Sequence, residues 1–410
     1  LTGGPTPWRY RALGRVLAAA DHVLPARLLP GLDADALIAA AGVTPAAASR
    51  EGLQRLLAAL RADSDLTAFG RLSIRWDMIR LLRNAALIDA AHDANPSLAV
   101  APIAAPIFIL GLPRSGTTFL HSLLAEDPEN QVPRNWQTIY PAPRRPGFDP
   151  AADPKARLVA TQLQMFAGIA PGFAQAHPVG ADSPQECSEI TSHAFRSYRF
   201  DTIFRVPRYL DWLERAGDLD AFTFHRRFLQ FLQAGQPAHW VLKCPDHTFS
   251  LTSILRVYPD ARFVIVHRDP LQVLASNAHL TELLRRPFLR NVDPAEIGRL
   301  DAQRWVDGAN RLLAFGSRAD VPPARQFHIR HQELIGAPLD AIAAIYRQFD
   351  RPLSATALAA MRARLNAAPR GGYARHAPYT LDRFGISAEQ LTASFAGYVD
   401  RYCRAEASAG

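Results

Sequence analysis

Pro106-Ile-Phe-Ile-Leu-Gly-Leu-Pro-Arg-Ser-Gly-Thr-Thr-Phe-Leu-His-Ser-Leu-Leu-Ala125 reads as a buried strand that runs through a glycine-bounded turn into a helix. Gly111 and Gly116 let the backbone curl so that its N–H groups converge at the helix N-terminus, where the helix dipole also favours an anion. Phosphate or sulfate is the expected ligand. The spacing Gly111-x4-Gly116, with hydroxyls at Thr117 and Thr118, follows the nucleotide P-loop, yet Thr117 stands where such a loop has its lysine. Arg114 is the only cation inside the loop. A kinase or NTPase needs that lysine at the β/γ-phosphates and a metal-holding carboxylate nearby, and the chain shows neither in the expected place.

The run Gly111-Leu-Pro-Arg-Ser-Gly-Thr-Thr118 resembles the 5′-phosphosulfate loop of sulfotransferases that use 3′-phosphoadenosine 5′-phosphosulfate (PAPS), above all the bacterial and tyrosylprotein types with arginine in the loop. The resemblance implies that Pro113, Arg114, Ser115, Gly116, Thr117 and Thr118 hold the phosphosulfate. A second segment, Ala261-Arg-Phe-Val-Ile-Val-His-Arg-Asp-Pro270, reads as a short buried strand ending in a charged turn, with Pro270 opening a helix. Arg268 and Ser276 lie at or just past its C-terminal end, where open α/β sheets bind ligands. They match the family's Arg-x7-Ser pair, which grips the 3′-phosphate of PAPS. A guanidinium suits that task because its planar fork donates to two phosphate oxygens at once.

A third constellation, His239-Trp-Val-Leu-Lys-Cys-Pro-Asp-His-Thr248, is an apolar strand ending in a turn toward a helix. Among the 46 basic residues only Lys155 and Lys243 are lysine. A lysine kept at a strand end points to a need for a compact, mobile ammonium. In the family a lysine on this strand stabilises charge on the bridging oxygen, and Lys243 fits that place. His247 is the first choice for general base, because imidazole titrates closest to neutral pH. In the cytosolic enzymes the base is a histidine two residues after the lysine. Here that position is Pro245, and His247 follows two residues later.

The competing base is a carboxylate. The tyrosylprotein enzymes use a glutamate just after the loop helix, where this chain has Trp136-Gln137, and a glutamine accepts no proton. Farther on, Ala181-Asp-Ser-Pro-Gln-Glu-Cys-Ser-Glu189 reads as a helix start with Ser183 as N-cap, Pro184 first and Glu186 third. Relatives resemble this Pro-x-Glu segment too, which makes Glu186 the alternative base or acceptor-orienting residue, with Glu189 one turn later a weaker one. Near the end, Pro369-Arg-Gly-Gly-Tyr-Ala-Arg375 resembles the family's cofactor-closing loop, with Arg370 or Arg375 as its cation and Gly371 and Gly372 allowing close approach.

Composition agrees with an enzyme of this kind. The 410 residues are 48% hydrophobic, enough for one large core and an appended segment. No apolar run reaches membrane-spanning length. Three cysteines without metal-ligand spacing fit a reducing cytoplasm. The net charge of +8 comes from arginines spread along the chain rather than blocked with stacking aromatics, which argues against nucleic acid and suits an anionic cofactor.

Residues 1–97 read as an N-terminal all-helical segment, from repeats such as Leu53, Leu56, Leu57, Leu60 and the stop at Asn95-Pro96, with a homodimer contact as an alternative use. Residues 98–410 read as a P-loop α/β domain: a parallel sheet, strands near 107–111, 239–243, 261–266 and 325–329, and helices on both faces. Between its first strands, Pro133–Gln236 is rich in aromatics, expected mainly in the core with some lining an acceptor pocket. The expected activity is in-line sulfuryl transfer from PAPS, without a metal, to a hydroxyl or less readily an amine of a small acceptor with an apolar part, releasing adenosine 3′,5′-bisphosphate (PAP). The alternatives are a P-loop kinase and a non-catalytic PAP-binding relative.

Overall fold

The protein is described by a computed structural model over residues 7–23, 31–145, 147–236, 238–367 and 380–404. It forms two compact units, one of Leu1–Ile103, Pro133–Pro237 and Leu280–Val292, the other of Ala104–Val132, Ala238–His279 and Asp293–Gly410.

The second unit is built on five parallel strands, β1 (Ile107–Gly111), β2 (Asn130–Gln131), β3 (His239–Lys243), β4 (Arg262–His267) and β5 (Gln326–Arg330), in the order β2-β3-β1-β4-β5. Four fall on the stretches read as strands. The fifth, β2, is a two-residue edge piece too short to show any periodicity. The central strand β1 is buried at all five residues, as expected of a parallel strand covered on both faces. Its alternate side chains divide between two layers. Ile107 and Ile109, with Val241, Val264 and Val266, pack on Leu120, Leu123 and Leu124 of the helix Thr117–Leu124 and on Ile342 and Ile345 of the helix Pro338–Gln348. Phe108 faces the opposite way, 5.5 Å from the Tyr258 ring and 6.0 Å from Phe263, which meets Phe315 of the helix Pro294–Phe315 at 4.8 Å.

Register brings the strand ends level: Ile109 pairs with Lys243 on one side, and Gly111 with Val266 on the other. The chain passes from β1 toward β2 and β3, then returns to place β4 and β5 on the far side. Such a reversal of strand order opens a crevice at the carboxyl ends of the strands, the usual ligand position in open α/β sheets.

The first unit is helical. Leu53, Leu56, Leu57 and Leu60 are buried along the helix Ala47–Asp63, and Ile74, Met78, Leu81 and Leu82 along Ala68–Ala94. Asn95 caps the latter and Pro96 follows, the stop that the sequence shows. Two glycines permit close backbone approach, since a Cβ would lie 2.5 Å from the Phe195 carbonyl at Gly52 and 2.3 Å from that of Phe288 at Gly70. Of the aromatics in Pro133–Gln236, Trp136, Phe173, Phe195, Tyr198, Phe204, Tyr209 and Trp212 are buried. Tyr140, Phe148 and Phe166 are partly so.

A buried charge network crosses this helical core. Arg199 pairs with Asp77 at 2.8 Å and with Glu189, while Arg80 pairs with Asp77 and donates to the Thr138 carbonyl at 3.2 Å. Burial alone would raise the Asp77 pKa, but Arg199 and Arg80 outweigh it and hold the carboxyl well below its usual range. Among the described residues no helix is long and apolar enough to cross a membrane.

Candidate active site

The turn after β1 has the conformation its glycines promise. Gly111 has φ +146° and Gly116 φ +96°, and Arg114 between them is itself left-handed at φ +64°. A Cβ at Gly111 would stand 2.5 Å from the Val266 carbonyl oxygen, and one at Gly116 would stand 3.0 Å from the ring of His331. The loop therefore lies flat on β4 on one side and against the start of the helix His331–Gly336 on the other. Gly116 is the N-cap of the helix Thr117–Leu124, whose amides open toward the loop. His121 ties that helix to the sheet, with Nε2 3.2 Å from the Val241 carbonyl.

Around this turn the structure gathers the residues that three separate sequence segments nominated. Arg268 Nη1 donates to the Arg114 carbonyl at 2.9 Å, and Arg114 Nε donates to Ser276 Oγ at 3.1 Å. Lys243, only 2% exposed, donates from Nζ to Thr118 Oγ1 at 3.0 Å. Three cations thus meet at the carboxyl ends of β1, β3 and β4. The Asp269 carboxylate accepts from the Leu271 amide and caps the short 3-10 turn Pro270–Gln272.

His331 belongs to this cluster and escaped the sequence reading. It follows directly on β5, the same strand-end position that singled out Lys243 and Arg268. Applying that rule to every strand would have found it. Its pKa is pushed down to about 4, first by burial and then by the Arg268 charge, so the ring is neutral at physiological pH.

His247 lies in the 3-10 turn Pro245–Phe249 and is 2% exposed, its ring edge-on to Phe108 at 5.1 Å and 68°. Its neighbour Asp246 is bound by Arg304 at 2.7 Å, which fixes the turn.

The expected helix start at Ser183 is not there. The helix begins at Ser188 with Cys187 as its N-cap, and Glu186 lies before it in a non-helical segment, partly exposed. The cause is tertiary hydrogen bonding. Asn135 N–H donates to the Ser183 carbonyl at 3.0 Å, Gln185 N–H donates to the Pro133 carbonyl at 2.8 Å, and Pro184 bridges antiparallel to Arg134. The Ser183 hydroxyl accepts from the Gly180 amide at 2.8 Å. Glu186 therefore does not stand in the first turn of a helix. Gln137 is a buried structural amide, accepting from Arg134 N–H at 3.2 Å and donating to the Ala142 carbonyl at 3.0 Å. Glu189 is held in the ion network with Arg199. Arg370 and Arg375, with Gly371 and Gly372, lie outside the described residues.

A glycine-bounded turn that carries Arg114 and has Thr117 where a Walker loop has its lysine, backed by a strand-end lysine and an arginine–serine pair, agrees with a family model described as "Sulfotransferase family", which matches residues 106–355. The chain belongs to that family. The matched span runs from β1 past β5 and includes the loop, Lys243, His247, Arg268 and Ser276. This sulfotransferase is 25% identical over 317 residues to omega-hydroxy-beta-dihydromenaquinone-9 sulfotransferase Stf3 of Mycobacterium bovis and of Mycobacterium tuberculosis, covering 72% of this chain and 74% of theirs. It resembles the crystal structure of sulfotransferase STF1 from Mycobacterium tuberculosis H37Rv with TM-score 0.75 and 28% identity, over 96% of this chain and 99% of that one. For sulfotransferase STF9 from Mycobacterium avium the TM-score is 0.80 and the identity 29%, over 90% and 95% of the two chains. The protein is an enzyme that transfers a sulfuryl group, and the kinase reading of its loop falls away.

Proposed function

We propose that this sulfotransferase takes its sulfuryl group from PAPS, leaves PAP as product, and passes the group to a hydroxyl of a small, lipid-like acceptor. The observation that carries the reading is the convergence of Arg114, Lys243 and Arg268 on one turn at the carboxyl ends of β1, β3 and β4. The residues fit a polyanion. Their side chains donate, the helix amides open on the same turn, and the loop glycines keep its backbone free of the Cβ atoms that would crowd it.

Bound there, PAPS supplies an activated sulfuryl group. The amides of the Gly111–Thr118 turn with Arg114 hold its 5′ end, and Arg268 with Ser276 takes the 3′-phosphate. Lys243, anchored on Thr118, keeps a buried positive charge beside the helix start, where it stabilises negative charge on the departing oxygen. The acceptor proton goes to Glu186 or His247. Its partly exposed position favours Glu186, and chemistry near neutral pH favours His247.

The lipid-like acceptor rests on the relative named for omega-hydroxy-beta-dihydromenaquinone-9, which covers most of the chain. None of Cys187, Cys244 and Cys403 is in a disulfide, in keeping with a cytoplasmic enzyme. Calorimetric titration with PAP, against ATP·Mg²⁺ as the comparison, tests the cofactor. Tight PAP binding that Arg268→Ala abolishes is expected, and a preference for ATP·Mg²⁺ would overturn the reading.

A further inference from the structure

Behind Arg268 lies a chain of side chains that the reaction as described does not use. His267, the last residue of β4, has Nε2 2.9 Å from His328 Nδ1 of β5 and Nδ1 2.9 Å from the Tyr398 hydroxyl. His328 Nε2 is 3.2 Å from Gln326 Oε1. The two imidazoles lie within 3° of one plane, and the Tyr402 ring covers both, 4.0 Å from His267 and 5.2 Å from His328. His267 directly precedes Arg268, so whatever holds its ring also holds the main chain on which Arg268 stands. Tyr398 comes from the helix Ala388–Tyr402 and is buried.

The protons along this chain have one consistent order. Gln326 Nε2 donates to the Val321 carbonyl at 2.7 Å, so its Oε1 is the face turned to His328 and can only accept. His328 therefore carries its proton on Nε2 and accepts on Nδ1. His267 must then donate from Nε2 and accept on Nδ1, and the proton it accepts is that of Tyr398. Every member is satisfied, and both imidazoles are neutral.

The surroundings agree. Burial, and then His328, hold the His267 pKa well below its ordinary value. Burial foremost, with Cys403 and Tyr402 adding to it, holds Tyr398 well above its own, so the phenol keeps its proton. Burial, and then the Arg401 charge, hold His328 below its ordinary value as well.

We propose that Tyr398, His267 and His328 are positioning residues that fix the main chain of Arg268, so that its guanidinium meets the 3′-phosphate without prior rearrangement. The inference rests on the reading of Arg268 as the 3′-phosphate ligand. Through its Nη1 bond to the Arg114 carbonyl, Arg268 also carries this placement to the phosphosulfate loop. Fully connected polar networks hold a unique geometry, and losing the Tyr398 hydroxyl leaves the buried His267 Nδ1 acceptor without its donor.

The test compares PAP with adenosine 5′-phosphate, which lacks the 3′-phosphate, by calorimetry on the wild type, Tyr398→Phe and Arg268→Ala. Tyr398→Phe keeps the ring and removes only the hydroxyl. It is expected to weaken PAP about tenfold while changing adenosine 5′-phosphate by less than about twofold, because one displaced hydrogen bond is worth roughly a factor of ten. Equal weakening of both ligands would mean a general structural role and overturn the inference. Unchanged PAP binding in Tyr398→Phe alongside its loss in Arg268→Ala would overturn it while leaving the Arg268 assignment standing. Unchanged PAP binding in Arg268→Ala would remove that assignment and the inference with it. Imidazole ¹⁵N NMR on the wild type reads the network without any variant: both rings should be neutral Nε2–H tautomers at pH 7, and an Nδ1–H form of His267 refutes the proton order.

Discussion

Replacing Gly111 by alanine puts the geometry of the anion loop to a direct test. The residue ends β1 at φ +146°, where an L-residue is strained by about 1–3 kcal/mol. Its new Cβ would stand 2.5 Å from the Val266 carbonyl and 2.8 Å from Ser115 Oγ. The serine can rotate, but the carbonyl belongs to β4, which pairs with Gly111 in register, so the central sheet must open. Overpacking of that kind costs roughly a further 1–3 kcal/mol. The sum, about 2–6 kcal/mol, is a large part of a typical domain's stability. Gly116→Ala is the matched control in the same turn. It meets only the side-chain edge of His331 at 3.0 Å, which can move, leaving a backbone term of about 1–2 kcal/mol. Hydrogen exchange at the β1 and β4 amides, followed by mass spectrometry, reads this unit locally. Gly111→Ala should accelerate exchange far more than Gly116→Ala, and both should weaken PAP. Equal protection in the two variants, within about 0.5 kcal/mol, would refute the claim that β4 bounds the loop.

Lys243→Met should keep the fold and most of the PAP affinity while lowering kcat by about 10²–10³, the usual loss when one charge-stabilising donor is removed; a fall in PAP affinity alone would make the lysine a binding residue. Single-turnover pH profiles of Glu186→Gln and His247→Asn identify the base, since the true base variant loses the acidic limb of the rate profile and the other keeps it. Because the folded-state pKa of His331 is depressed to about 4 from 6.5, the unfolded chain binds the extra proton between those values, and stability should rise with pH across that window. Urea unfolding of His331→Gln should show a shallower rise than the wild type over the same range, and an unchanged slope would mean that His331 is not buried against the loop.

Much of the site was legible because its parts are local patterns of special residues. Gly111 and Gly116 bracket a turn that few other residues could make. Lys243 stands out in a chain that otherwise uses arginine, and Arg268 with Ser276 sits at the end of an unmistakable buried strand. The strands β1, β3 and β4 were read from continuous apolar runs, whereas β2 holds only two residues and offers no pattern. The helix expected from Ser183 failed for a different reason. Its serine, proline and glutamate follow a genuine capping pattern, but hydrogen bonds to Pro133 and Asn135 offered the backbone a better set of partners than a first helical turn.

The sequence by itself determined the glycine-bounded turn, the parallel α/β class and the strand-end positions of Lys243 and Arg268, because each depends on residues a few positions apart. Only the tertiary structure decided that these cations share one turn, that His331 closes against Gly116, and that His267, His328 and Tyr398 form one hydrogen-bonded chain behind Arg268. Those relations depend on which strand lies beside which. The pairing of Ile265 with His328, and of His267 with Arg330, is set by packing the apolar faces of β4 and β5. No local pattern around residue 267 contains the register of a strand some sixty positions away.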